Sequence, residues 1–552
     1  MRKFIISIIF LIIVVSLMFQ SCVKKHFDFD RISEDLEWNP NLAAPGVKAS
    51  LTIRDILQDF DTMELFVEDE SGFLYLMYHK HIFSAKASDF ILIPDQSFAN
   101  ETFLGDEFTA IGFNSTIDTG MVPRSINQTF AVSGSQEIDS VIVKSADLNI
   151  NIISDYLHMG KLVVRFPYMK KNGVVYSKTI PITDASGTFS ASEYYTDLNG
   201  YTIDLSSGIN QLPIEYELTL YNSGSVVNAT DQAVVGISMS NIYYDEMYGY
   251  FGQDTMNFLD TLHLEIFDNT FTGTAHFVDP HFNVYFKNSY GLPLKMQFSD
   301  FVTYTMPNAV TQTYAFTDDI SLNPIDINSP SLNQIGQSVA TDFILDKSNS
   351  EVDEIVSSGP KYIYFGMQSY SNPYGNVAQN FITDESQFDL DVELELPLWG
   401  YASYFAVQDT TDLDFAEIYE DFDFVEYLKL KINMCNGMPT EVEVQIYFVV
   451  LQEDSVTYAV VDSAFTPETR QVIASGTLDG DGKVIAKTLK FTELLFDKAR
   501  LEKIKNVSHI FLRGSICTTN NATQNVKFYN DYSIDVKVGL QAKFNFDEND
   551  LN

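Results

Sequence analysis

Basic residues are scarce in this chain. Only 34 Lys and Arg stand against 75 Asp and Glu, and the formal charge is −41. A surface that holds nucleic-acid phosphates needs clustered Lys and Arg, so nucleic acid is excluded as a partner. The same balance argues against general adhesion of the chain to anionic lipid. An acidic, well-solvated surface suits an exported protein that must stay soluble. Cysteine is nearly missing, with three in 552 residues, and no CxxC or Cys/His zinc spacing occurs. Trp appears only at positions 38 and 399, so the commonest sugar-stacking side chain is rare. The chain also lacks a Gly-x-Ser-x-Gly elbow, a phosphate-binding loop and a dinucleotide fingerprint. No nucleophile is spaced with a base as catalysis would need. The expectation is a non-enzyme without cofactor or structural metal.

What is present begins at the N-terminus. Arg2 and Lys3 precede a sixteen-residue apolar stretch, Phe4 to Phe19, interrupted only by Ser7 and Ser16. Gln20, Ser21 and Cys22 follow. A basic start, a short apolar core and a small residue before the cut describe a secretory signal. The cysteine next to that small residue makes residues 1–21 a lipoprotein signal and Cys22 the lipidated residue. Sixteen residues is short for a spanning helix, which needs roughly twenty. No second run of that kind follows. Removing residues 1–21 takes away two positive charges and no acid, so the mature chain is more acidic still. With Cys22 lipidated, Cys435 and Cys517 remain as an even pair in an oxidising compartment and form a candidate disulfide.

Residues 22–62 read as a mixed-charge tether holding one short helix. Thr52 and Asp55 fit a capping box, and Ile53, Ile56 and Leu57 follow at helical spacing over Thr52–Phe60. From residue 63 the apolar period becomes two, the mark of half-buried strands. Tyr, Phe, Val, Ile and Thr dominate, punctuated by turn clusters such as Lys171-Asn172-Gly173 and Asp479-Gly480-Asp481-Gly482. A strand–break–strand pattern recurs three times. Leu148, Ile150 and Ile152 lead to Leu162, Val164 and Phe166. Phe282, Val284 and Phe286 lead, through Gly291-Leu292-Pro293, to Leu294, Met296 and Phe298. Leu428, Leu430 and Ile432 lead, through Gly437-Met438-Pro439, to Val442, Val444 and Ile446. The copies start 134 and 146 residues apart, the length of an ordinary β-sandwich domain. The reading is all-β, with tandem Ig-like or jelly-roll-like sandwiches behind a lipidated tether and one short helix. The expected divisions are an N-terminal β region, 63–126, packed on the first sandwich, then sandwiches over 127–270, 271–405 and 406–552.

Several stretches look alike to a known group. Asp279-Pro280-His281-Phe282 running into Asn288-Ser289-Tyr290-Gly291, then Asn372-Pro373-Tyr374-Gly375, Glu395-Leu396-Pro397-Leu398-Trp399-Gly400 and Val526 to Tyr532 are the relevant segments. They resemble large uncharacterised β-rich outer-membrane or surface lipoproteins of the Bacteroidota. The resemblance implies an outer-membrane, lipid-anchored address and a fold class, but no reaction. The acids of the tether fit display at the cell surface rather than on the periplasmic side; Lys24 and Lys25, which come first, depart from that pattern. The resemblance also implies O-glycosylation at Asp-Ser/Thr followed by an apolar residue or Thr. Thr62, Ser140, Thr255, Thr261, Thr410, Ser455 and Ser463 match.

The remaining constellations have plainer readings. His276, Asp279 and His281 lie near a turn, and His79 and His81 share one strand face. Metal ligation would suit either group, but a structural turn and a solvent-facing pair account for them better. Asp479-Gly480-Asp481-Gly482 lacks the later ligands of a calcium loop and reads as a hairpin turn. The acidic run 409–426 carries Leu413, Phe415, Ile418, Phe422 and Phe424 between its carboxylates and reads as a solvated amphipathic linker; calcium is the other reading. Tyr243, Tyr244, Tyr248 and Tyr250 lie in a stretch that reads as a turn, and Tyr362, Tyr364 and Tyr374 flank Asn372-Pro373. These aromatics are the candidate ligand contacts, either stacking a sugar or anchoring a protein partner. The functional expectation is a non-catalytic accessory or interaction subunit of a β-barrel transport or secretion machine. The alternative is a surface glycan-binding lipoprotein of a polysaccharide-uptake system.

Overall fold

The computed structural model describes residues 41–53, 66–264, 274–306, 309–313, 324–403, 405–412, 425–452, 457–466 and 471–545. Nearly all of its regular structure is strand, as the period-two pattern requires. An N-terminal tract carries β1 (Asn41–Thr52), β2 (Phe66–Glu68), β3 (Leu74–Lys86), β4 (Gln96–Ser97) and β5 (Glu101–Leu104). Unit 1 carries β6 (Thr119–Thr129), β7 (Glu137–Ser154), β8 (Met159–Lys171), β9 (Val174–Ile182), β10 (Phe189–Tyr195), β11 (Thr202–Asp204), β12 (Gln211–Tyr221) and β13 (Gln232–Tyr250). Unit 2 carries β14 (Thr255–His263), β15 (Thr274–Phe277), β16 (His281–Asn288), β17 (Leu294–Met306), β18 (Ala309–Thr313), β19 (Ile325–Ile327), β20 (Val339–Leu345), β21 (Tyr362–Ser371), β22 (Asn380–Thr383), β23 (Gln387–Pro397) and β24 (Trp399–Ser403). Unit 3 carries β25 (Phe405–Asp412), β26 (Val425–Asn436), β27 (Thr440–Leu451), β28 (Tyr458–Ser463), β29 (Gln471–Ile473), β30 (Thr477–Leu478), β31 (Val484–Ala486), β32 (Thr488–Asp497), β33 (His509–Thr518), β34 (Val526–Lys527) and β35 (Ser533–Phe544).

The three units share one wiring. The repeated strand pairs are β7–β8, β16–β17 and β26–β27. The first strand of each pair lies between a later strand and the unit's long closing strand: β10–β7–β13, β20–β16–β23 and β32–β26–β35. The second strand lies in the opposing layer: β9–β8–β12–β6, β18–β17–β21–β14 and β28–β27–β33–β25. In units 2 and 3 the two layers are separate sheets, so the Gly-x-Pro break is an arch that carries the chain across the sandwich. In unit 1 short β11 pairs with both β7 and β8 and joins the layers into one sheet. Units 2 and 3 instead carry a helix at the corresponding place in the chain, Val352–Ser357 and Lys498–Ile504. The repeat therefore extends from a strand pair to a whole domain.

Alternation puts every second residue inward. Leu148, Ile150 and Ile152 of β7 are fully buried and share a core with Leu162 and Val164 of β8 and Leu218 of β12. Phe282, Val284 and Phe286 of β16 meet Met296 of β17, Phe365 of β21 and Leu390, Val392 and Leu394 of β23. Val425, Phe448, Leu494, Phe496 and Phe544 form the equivalent core of unit 3. Full burial of one such side chain contributes about 1.5–3 kcal/mol.

The N-terminal tract does something the sequence reading missed. It adds one antiparallel edge to the closing strand of each unit in turn, in reverse order. β1 pairs with β35 of unit 3, β3 with β23 of unit 2, and β4 and β5 with β13 of unit 1. Residues 41–52, expected within the tether, are thus a strand that ends at Thr52, and Ile53 directly after it is helical, so Thr52 keeps the position before a helix. Residues 54–60 of the expected helix lie outside the described residues. The region 63–126 does not pack on the first sandwich alone, because β3 belongs to the second. Two divisions also move. β6 starts unit 1 at Thr119, and β14, at Thr255, already pairs within unit 2.

Side chains secure the tract at each stop. The Ser50 hydroxyl donates to Asp535 at 2.6 Å, and Ser84 donates to Asp389 at 2.7 Å. Lys80 reaches Asp260 of β14 at 2.7 Å. The buried Tyr156 hydroxyl donates to the Phe103 carbonyl at 3.0 Å, and Arg124 bridges Glu101 and Glu107. Residues 41–52 cover the outer edge of β35. A chain beginning at residue 53 is expected to lose amide protection across 533–544 while 137–154 keeps its own. Hydrogen exchange read by mass spectrometry checks this, and unchanged protection in 533–544 would refute it. Leu390→Ala removes a fully buried side chain from the unit 2 core and is expected to cost about 2–5 kcal/mol in urea unfolding.

Candidate ligand cleft between units 1 and 2

Units 1 and 2 meet through main chain. β22 of unit 2 pairs with the end of β13, matching Asn380–Thr383 to Glu246–Gly249. The break of the second repeat docks beside it. Gly291 and Phe381 exchange backbone hydrogen bonds of 2.9 and 3.0 Å. A Cβ at Gly291 would lie 2.1 Å from the Phe381 ring, so only glycine fits. The Tyr290 hydroxyl donates to the Ala85 carbonyl at 2.9 Å, tying the break to β3. Asn372 is buried in the left-handed region at φ 43°. Its amide donates to the Gly252 carbonyl at 2.8 Å, and its backbone N–H donates to Pro293 at 2.8 Å. Asn tolerates this conformation where β-branched residues do not.

These contacts leave a cavity of about 200 Å³. Phe83, Phe251, Phe258, Tyr290, Met296 and Phe388 supply much of its wall. Gln136, Asp254, Lys295, Ser369 and Ser371 supply its polar groups. An apolar cavity of 150 Å³ holds one benzene ring, so this one has room for a single substituted ring. Lys295 sits at the edge, 3.3 Å from Asp326 and 4.9 Å from the centre of the Tyr374 ring. A hydrogen bond with Tyr374, and then Asp326, holds its ammonium above the ordinary lysine range.

The candidate aromatics separate on the structure. Tyr374 is 61% exposed beside this cleft. Tyr243 is 60% exposed, while its neighbour Tyr244 points inward and is buried. Tyr248 is half-buried. Its hydroxyl donates to Glu246 at 2.5 Å, and burial followed by that carboxylate pushes it up to about 12. Tyr250 is half-buried at the end of β13. The stretch read as a turn is therefore strand, interrupted by register shifts between Ser240 and Gly249 that blurred its period. On β21, Tyr362 stacks on His263 at 4.7 Å, and Tyr364 is half-buried. The seven tyrosines do not form one platform.

The other candidates occupy structural positions. Cys435 is half-buried on β26 and Cys517 is buried on β33, in different sheets and each as a thiol, so the candidate disulfide is not formed. His81 Nδ1 lies 2.8 Å from Asp391 and His79 Nε2 lies 3.8 Å from it, both side chains more than half exposed. His276 contacts the Ser357 hydroxyl at 3.1 Å, while His281 lies 3.5 Å from Asp279. Among the described residues no three His, Cys, Asp or Glu gather as a metal site. Asp479 accepts the backbone N–H groups of Asp481 and Lys483 at 3.0 and 2.9 Å, closing the hairpin turn. Within the run 409–426, residues 413–424 lie outside the described residues, as do Cys22, Thr62 and Ser455. Ser140, Thr255, Thr261, Thr410 and Ser463 all lie on strands. The Ser463 hydroxyl donates to the Phe465 carbonyl at 3.2 Å.

One titratable group escaped the sequence reading because nothing local marks it. His158 lies in the break of the first repeat and is fully buried. Its Nδ1 accepts the Ser223 backbone N–H at 3.2 Å, and its ring meets Phe113 edge-on at 5.0 Å. Burial lowers its pKa below the ordinary 6.5.

No family model matches this chain, and no curated protein matches it. Among solved structures it is similar to a protein from Parabacteroides distasonis described as secreted, at 8% identity, covering 65% of this chain and 99% of that one, with a TM-score of 0.18. An exo-β-agarase matches at 14% identity over 30% of this chain and 26% of its own, with a TM-score of 0.12. The tandem CBM22 domains of Xyn10C from Paenibacillus barcinonensis match at 8% identity over 58% and 98%, with a TM-score of 0.12. At these scores the likenesses carry no argument about function.

Two outcomes follow from the geometry. Asn372→Ala leaves the Gly252 carbonyl unpaired and strains the backbone, so it is expected to cost about 1–3 kcal/mol in urea unfolding. A buried neutral His158 stabilises the fold above the unfolded value of 6.5, and that contribution is lost as pH falls through the lower folded value. The loss of stability on acidification from pH 7 is expected to be shallower in His158→Gln, measured by thermal unfolding at successive pH values.

Proposed function

We propose that the chain is a non-catalytic, lipid-anchored outer-membrane protein displayed at the cell surface. It works as an accessory or interaction subunit for an outer-membrane protein partner, such as a β-barrel transport or secretion machine. One observation carries this reading. The tract that follows the proposed anchor at Cys22 hydrogen-bonds to units 3, 2 and 1 in succession. Such a tract ties three sandwiches to one attachment point and presents them together, as multivalent docking needs. Two buried titratable groups, Tyr156 and His158, are committed to structural hydrogen bonds. The proposed O-glycans at Thr62, Ser140, Thr255, Thr261, Thr410, Ser455 and Ser463 would add to an exported surface.

A second reading rests on the cleft. Exposed Tyr374 beside a ring-sized, aromatic-lined cavity suits a surface glycan-binding protein.

Cys22→Ala is expected to move the protein from the membrane to the soluble fraction, and continued membrane attachment would refute the anchor. Crosslinking in cells followed by mass spectrometry is expected to recover a β-barrel partner. Retention on a polysaccharide column that Tyr374→Ala abolishes, with no barrel recovered, would favour the second reading over the first.

A further inference from the structure

The outward face of the unit 3 sheet β1–β35–β26–β32 departs from the rest of the chain in charge and in polarity. Lys429 and Lys431 point outward from β26, Lys537 and Lys543 from β35, and Lys48 from β1, with Lys487 at the margin. The carboxylates facing them are Glu426, Glu493, Asp497 and Asp535. Six lysines over four acids reverse a chain-wide excess of 75 acids over 34 bases. Lys429 and Lys431 share one carboxylate, Glu493, at 3.3 and 4.0 Å. Lys48 and Lys537 sit directly opposite each other in the β1–β35 register. Like charges opposed across a ladder are destabilising unless a counter-charge covers them.

Beside the lysines runs an apolar row. On the edge strand β32, Leu489, Phe491 and Leu495 face outward and are 72%, 60% and 48% exposed. Phe491, Asn433, Lys537 and Lys48 make one continuous row across the sheet. Protruding Leu and Phe beside Lys is the composition that settles at a bilayer interface, with rings among the acyl boundary and ammonium groups on phosphates. β1 is the described strand closest in sequence to the proposed attachment point: Asn41 follows Cys22 by 19 residues, at most about 65 Å of extended chain.

We infer that this face docks on an anionic lipid headgroup layer, with Phe491, Leu489 and Leu495 entering the interface and Lys429, Lys431, Lys537 and Lys48 meeting lipid phosphates. The inference rests on the anchoring at Cys22 proposed above. It also refines the sequence-level expectation, because the chain as a whole repels anionic lipid while this one face attracts it.

The test uses the full lipidated chain in vesicles of phosphatidylethanolamine and phosphatidylglycerol. Flotation first establishes attachment; a wild-type chain that fails to float overturns the anchor and is read separately. In chains that float, Phe491→Trp is expected to lose emission to brominated lipid, after subtraction of the unsubstituted protein's Trp38 and Trp399. Val226→Trp, on an exposed loop of unit 1, is expected to keep its emission. Charge reversal at Lys429, Lys431 and Lys537 is expected to restore the Phe491→Trp signal. Equal quenching at 491 and 226, or none at 491, would overturn the docking while leaving the anchor standing. Protection of Phe491→Trp by dimer formation in detergent, with no lipid quenching, would also overturn it in favour of a second copy.

Discussion

The backbone ladder between the N-terminal tract and the closing strands is the constraint on which the rest of this molecule depends. Each sandwich ends with a long strand whose outer edge would otherwise present unpaired N–H and C=O groups to solvent. β35, β23 and β13 are all completed by strands that precede the units in sequence. The hydrogen bonds are local, but the covalent connections between β1, β3 and β5 make three separate edges into one structure.

Within each unit a simpler constraint operates. A strand with one apolar face must bury it against a second sheet. The arch at Gly291-Leu292-Pro293 and its counterpart at Gly437-Met438-Pro439 deliver the next strand to that second sheet. In unit 2 the arch also becomes the seam with unit 1. Gly291 admits the Phe381 ring and Tyr290 reaches Ala85, so one local break both crosses a sandwich and shapes the cleft.

The all-β class, the three units and the strand pair at the heart of each were legible in the sequence, because period-two alternation is a local signal. Leu148 to Ile152 and Phe282 to Phe286 announced their faces and kept them. The tract escaped because pairing partners leave no local trace. Residues 41–52 carry Pro45 and Gly46, with a register shift between Pro45 and Lys48, and they alternate poorly. The stretch 243–250 was misread for a related reason: its register shifts break the alternation that marks a strand. The cleft was legible only in fragments, since Asn372-Pro373-Tyr374-Gly375 was noticed while Phe83, Phe251 and Phe388 lie far apart in the sequence and only the fold brings them together.

The pairing of β1 with β35 also sets an order of events. Asn41 bonds to Gln541 across 500 positions of sequence. Loop closure over so long a span is slow, and contacts of this kind form late. During synthesis β1 emerges first, yet its partner β35 comes last of the strands described. Unit 3 therefore cannot be finished until the whole chain is out, while unit 1 can receive β5 early. Completion ends at the start of the chain, and β1, the first strand made, is the last to close.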